Sequence, residues 1–173
     1  MILTASELRQ RIDGVTVTDE QIETRLNAIE AVIRAYTNNN FQNRSIRFSG
    51  RSVGMLVYGS PLYFTAGDTV QISASGVNDG LYTVAAVGSD YLQLDRYLNE
   101  TENNLVTKIA YPPDVVQCAV DLYEWKQNMG DKVGIKSETL SRHSVTYEDS
   151  ASLFMGYPMG ILSGLQLHKK ARC

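Results

Sequence analysis

The spacing of apolar residues changes twice along this 173-residue chain, and those two changes constrain the fold more than any single motif. Up to residue 37, Ile22, Leu26, Ile29, Val32, Ile33 and Tyr36 recur at helical spacing as one stripe. Glu23, Arg25, Asn27, Glu30 and Arg34 fall away from it. From Phe41 the pattern shortens to alternation and short β-rich runs, and after Pro112 it lengthens again to a helical period. The expected order is helix, β insertion, helix, and a closing arm.

Local signals place the boundaries. TASE at 4–7 and TDEQ at 18–21 both have capping-box grammar, in which a hydroxyl accepts an amide and a side chain three residues on reaches back. Gly14 closes the first, short helix, and Asn38-Asn39-Asn40 closes the second, because asparagine tolerates left-handed geometry. RSIRF at 44–48 alternates, VGMLVY at 53–58 is β-rich, and FTAGDTVQI at 64–72 supplies a turn and a strand. VNDG at 77–80 signals a hairpin whose Asn/Asp-Gly pair suits positive φ. LYTV at 81–84, YLQLD at 91–95 and a closing strand over 105–111 complete a small barrel or curled sheet.

Pro112-Pro113-Asp114 opens the next helix, with proline where a missing amide matters least. Val116, Ala119, Val120, Tyr123 and Met129 line one side, and Val115, Cys118, Leu122 and Trp125 widen the apolar surface around it. A helix this apolar needs two neighbours. The 22–36 helix is expected to be one, and a second subunit is expected as the other. The predicted fold class is therefore α+β: a small antiparallel helical core of two main helices plus short terminal helices, with an inserted small β-barrel or curled antiparallel sheet. The core takes residues 1–43 and 111–173, with an extended C-terminal arm, and the insertion takes 44–110.

Bulk properties exclude some classes of function. With 43% hydrophobic and 20% charged residues the chain has the composition of a folded protein. A net charge of −3 gives no global signal for polyanion binding, although it leaves room for a local basic patch. The start of the chain lacks the charged, apolar pattern of a signal peptide, and no stretch is long enough to span a bilayer. Cys118 and Cys173 make no CxxC or Cys/His cluster, so neither a disulfide framework nor a metal site is expected. The chain is expected to fold in a reducing cytoplasm.

Candidate chemistry is sparse. His143 has Ser141, Arg142, Ser144 and Glu148 near it in sequence, but no Gly-x-Ser-x-Gly elbow places a nucleophile or an oxyanion hole. A Ser/His hydrolase is the weakest of the readings. Apolar neighbours of Cys118 would raise a thiol pKa, which suits packing rather than catalysis. GRSVG at 50–54 lacks the Gly-Lys-Ser/Thr of a phosphate loop. No catalytic, cofactor-binding or metal-binding residue is assigned.

The polar stretch KSETLSRHSVTYED at 136–149 favours extended backbone but has no apolar face with which to dock. It is either a solvated surface hairpin or an arm whose amides pair with the edge of another sheet. The adjoining segment carries Leu153, Phe154, Met155, Tyr157, Met159, Ile161, Leu162, Leu165 and Leu167, jointed by Gly156, Pro158, Gly160 and Gly164, with a short helix expected from about Pro158. A run this apolar must be covered, by the chain's own helices or by a companion.

Four stretches resemble the head–tail connector proteins of tailed bacteriophages, also called adaptors or head-completion proteins. AIEAVIRAYTNNNF at 28–41 is similar to their first core helix, and YPPDVV at 111–116 to the start of their second. GDKVGIKSETLSRHSVTY at 130–147 resembles the segment that follows, as does GYPMGIL at 156–162 with its basic end. The likeness covers both ends of the chain and leaves out the β insertion. It implies a non-enzymatic virion protein at the head–tail interface. Such a protein forms an oligomeric ring, about twelve-fold, that docks on the portal after DNA packaging and offers a platform to a tail-side completion or stopper protein. DNA would pass through the channel without sequence-specific binding. The resemblance places subunit or portal contacts at Lys136, Glu138, Leu140, Arg142, His143, Val145, Tyr147, Phe154, Tyr157, Ile161 and Leu165. A reading from a different class makes the barrel a nucleic-acid-binding module that uses Arg44, Arg47, Arg51, Tyr58, Tyr82 and Tyr91.

Overall fold

The structure, a computed structural model, describes residues 1–129, 137–140, 143–146 and 153–171. It is a mixed α+β protein whose strands include a closed six-stranded antiparallel barrel. The chain divides into two compact units, residues 40–111 and residues 2–39 with 112–173.

In the helical unit, α1 (Ala5–Arg9) and α2 (Asp19–Thr37) each begin in a complete capping box, from Thr4 with Glu7 and from Thr18 with Gln21. The amide of Thr4 donates to Glu7 at 2.8 Å, and this bond holds the Glu7 carboxyl below its usual pKa. Helix α2 ends where Asn38 turns left-handed at φ 49°, and its stripe of Ile22, Leu26, Ile29 and Ile33 is fully buried. Glu30 departs from expectation. It is only 4% exposed, and the backbone at Ile2 reaches it. Its Oε2 accepts the Ile2 amide at 2.9 Å and its Oε1 pairs with Arg34 one turn on, so the buried carboxylate is compensated.

Helix α3 (Pro113–Met129) packs against α2. It also meets the chain's own C-terminal segment, in which β9 (Leu153–Phe154) and β10 (Tyr157–Pro158) form a tight hairpin ahead of α4 (Met159–Ser163) and a 3-10 turn, Gln166–His168. Both turn residues of that hairpin, Met155 and Gly156, have positive φ. Trp125 on α3 lies against Tyr157 with ring centroids 6.2 Å apart, and the Cys118 thiol points at the Ile161 carbonyl. The second neighbour that α3 requires is thus found within the chain. Burial also pushes the Cys118 thiol up to about 12, as expected for a packing cysteine.

The barrel comprises β1 (Gln42–Val53), β2 (Leu56–Tyr58), β3 (Thr69–Ser73), β4 (Gly80–Val87), β5 (Tyr91–Leu94) and β6 (Thr101–Ile109), closed in the order β1-β2-β5-β4-β3-β6. Its core is Val57, Phe64, Val70, Ile72, Val84, Leu92, Leu94, Leu98 and Val106. Closure brings the Tyr58 carbonyl so near Gly50 that a Cβ there would sit 1.7 Å from the oxygen, which leaves glycine as the only residue that fits.

The β-rich stretch 53–58 holds the end of β1 at Val53, a turn at Gly54 (φ 63°) and then β2. One expectation in this region needs correction. The 77–80 signal is not a positive-φ turn, because the left-handed residues of that loop are Ala74 and Gly76. Asp79 closes the loop by accepting the amides of Ser75 and Gly76, while Asn78 turns inward and is 2% exposed. The Asn78 carboxamide donates to the Asn99 carbonyl at 2.8 Å and to Asn104 Oδ1 at 3.1 Å, and its oxygen accepts the Asn99 amide at 2.8 Å. Ser52, Thr101 and Asn104 complete this buried polar cluster. Its mutual satisfaction is what makes burying it tolerable.

Candidate functional site

Two places merit functional attention, one in each unit. In the helical unit, the arm residues 137–146 include β7 (Ser137–Leu140) and β8 (His143–Thr146), which pair antiparallel with Glu138 opposite Val145 and Leu140 opposite His143. Of the two readings of this stretch, a hairpin or an arm laid on another sheet, the pairing of β7 with β8 fits the hairpin. Lys136, Ser141, Arg142 and Tyr147 lie outside the described residues.

The remaining candidates from the C-terminal segment are placed within the helical unit. Phe154 is half-buried and meets the Tyr36 ring edge-on at 5.5 Å. Tyr157 is buried, and loss of water raises its hydroxyl pKa against the opposing influence of Arg25. Leu165 is buried and Ile161 half-buried. Among the described residues of the segment, the large apolar side chains left exposed are Met155, at 63%, and Leu167, at 95%.

Beyond Leu165 the chain is latched to the ends of α2 and α3. Asn38 Nδ2 donates to the Ala171 carbonyl at 3.0 Å, Asn39 Nδ2 to the His168 carbonyl at 3.1 Å, and the Lys170 amide to the Thr37 carbonyl at 2.8 Å. Lys169 Nζ sits 3.9 Å from the Tyr36 ring centroid, and Gln166 donates to the Tyr36 hydroxyl. His168 Nε2 is 2.6 Å from Asp114 Oδ2, and this hydrogen bond holds the Asp114 carboxyl below its usual range. The asparagine run thus stops one helix and also holds the tail, a role with no local signature.

In the barrel unit, register gathers half of the six basic and aromatic candidates. Arg51 on β1 pairs with Tyr58 on β2, and Tyr58 pairs with Tyr91 on β5. Because their neighbours Ser52, Val57 and Leu92 are buried, these three face outward. The Arg51 guanidinium stands 5.2 Å from the Tyr58 centroid, and the two tyrosine rings are 6.2 Å apart. Tyr91 lies over Gly88, where a Cβ would come within 2.3 Å of the ring. Arg47 faces outward from the same strand as Arg51, and Arg44 stands in a bulge, 44–46, that β6 does not match. Tyr82 is separate. It packs on the barrel core beneath Arg96 and donates its hydroxyl to the Asn78 carbonyl.

Among the described residues, no group of three or more His, Cys, Asp and Glu side chains could hold a metal, and no helix is long and apolar enough to cross a membrane. No family model matches the chain, and a search of curated proteins finds no match.

Proposed function

We propose that this chain is a structural subunit of a bacteriophage head–tail connector: an adaptor that assembles as a ring on the portal after DNA packaging and receives a tail-side completion protein. The observation that carries the reading is the joint resemblance of 28–41, 111–116, 130–147 and 156–162 to that family. The arrangement of the unit those stretches share supports it. Helices α2 and α3 pack together with the C-terminal segment on α3, and the whole β-rich stretch is inserted between the two helices as a compact unit of its own. In this reading α2 and α3 form the antiparallel core pair. The 136–147 arm, with Met155 and Leu167 as exposed apolar points, meets neighbouring subunits or the portal. The protein carries out no reaction and uses no cofactor. It is made in the host cytoplasm and ends in the virion.

The test is sedimentation of the purified protein with purified portal rings. The proposal expects co-sedimentation at a fixed stoichiometry. Failure to bind at any protein concentration would overturn it. Sedimentation of the subunit alone does not decide the matter, since an adaptor that needs its template stays monomeric without it.

A further inference from the structure

We infer that the β1-β2-β5 face of the barrel binds single-stranded nucleic acid, with the bases on the tyrosines and the phosphates on the arginines. The inference is independent of the connector reading and concerns only residues 40–111.

Charge partition points to it first. The barrel's other cations are engaged: Lys108 bridges Asp68 at 2.6 Å with both side chains four-fifths covered, and Arg96 lies beside Asp95 while donating to the Leu81 carbonyl. Arg44, Arg47 and Arg51 are exposed, and none of them has a carboxylate partner among the described residues. Three unpaired arginines on one strand form a local positive strip on a protein whose net charge is −3. Arg47 and Arg51 are four residues apart on the same face, which at about 3.3 Å per residue puts roughly 13 Å between their α-carbons, within the reach of two successive phosphates for side chains this long.

The second observation is the row of flat groups that begins at Arg51. Guanidinium, Tyr58 ring and Tyr91 ring follow one another across three strands in register, so their spacing is set by the sheet rather than by flexible loops. Glycine at 88 lets the Tyr91 ring lie against the backbone there, and Tyr58 and Tyr91 are both half-buried. Neither tyrosine hydroxyl is drawn into a hydrogen bond among the described residues, in contrast to Tyr82. Planar π surfaces interleaved with cations suit unpaired bases, whose faces are open. They suit a duplex poorly, because its bases are already stacked on one another. An acidic protein would use the arginines but gain little from the ring row.

The experiment is fluorescence anisotropy of a labelled oligothymidine, with an unlabelled duplex of equal length as competitor, on the full chain. Binding is expected at 50 mM salt and should weaken roughly tenfold by 200 mM, the slope for two or three phosphate contacts on a single strand. Tyr91→Ala should weaken it about tenfold while Tyr91→Phe, which keeps the ring, leaves it unchanged. Arg51→Gln should weaken it and flatten the salt slope, whereas Lys126→Ala on α3 should do neither. Thermal melts establish that each variant folds, and the Phe and Gln variants stand should Tyr91→Ala not. The inference is overturned by absence of binding at 50 mM salt or by preference for the duplex. It is also overturned if arginine variants weaken binding and Tyr58→Ala and Tyr91→Ala do not, which would mean attraction to any polyanion, or if Lys126→Ala matches Arg51→Gln.

Discussion

The two units satisfy the polar groups of their elements in different ways. Along α1 and α2 the pairs are local: Thr4 with Glu7, Thr18 with Gln21, Glu30 with Arg34. In the barrel, they are long-range. Asn78 reaches Ser52, Asn99 and Asn104, each more than twenty residues away, and Asn104 donates to the Gly50 carbonyl 54 residues back. Local pairs can be lost one at a time. A buried network leaves several groups without partners when one member goes.

The largest effects should come from the apolar cores, where the two units behave alike. Leu26→Ala on α2 and Ile72→Ala on β3 each remove a side chain with no solvent exposure, and each should lower stability by about 2–5 kcal/mol in a denaturant melt. A difference between them well outside that range would show that one unit tolerates a cavity that the other does not.

The contrast sharpens with single polar changes. Asn104→Ala should destabilise by about 1–3 kcal/mol, since Asn78, Thr101 and the Gly50 carbonyl all lose a partner. Thr18→Ala removes one end of a local box and should cost about 1 kcal/mol, read as the same midpoint shift. If the two changes prove equal, the network is no more cooperative than a helix cap.

That contrast also explains what could be read in advance. The helix starts, the left-handed stop at Asn38, the helix from Pro158 onward and the strand content between them are written in residues within four positions of one another. The burial of Glu30, the inward turn of Asn78 and the grip of Asn38 and Asn39 on the tail depend on segments that meet only after folding. In the barrel face, the tyrosines and arginines were visible as candidates. Which of them share a row could not be known without the register that puts Arg51, Tyr58 and Tyr91 together and sends Tyr82 to the core.

The smallest predicted effect is a pH dependence. The bond from His168 lowers the Asp114 carboxyl pKa in the folded chain. A carboxylate whose folded pKa is depressed contributes stability above its unfolded value, about 3.9, and loses it as pH falls through the lower folded value. Asp114→Asn should therefore remove a small part of the acid-side fall in melting temperature, below about pH 4, and the two proteins' curves should converge there. Because Asp114 is largely exposed, the effect should rank below that of Thr18→Ala. An unchanged acid limb would show that the tail latch is not electrostatic.

The proposed assembly of this chain on a portal is tested by cryo-electron microscopy of DNA-filled, tail-less phage heads incubated with the purified protein. A ring of density on the portal, accommodating α2 and α3 near the channel and one barrel per subunit, is the predicted result. Portals that stay bare at saturating protein would contradict it.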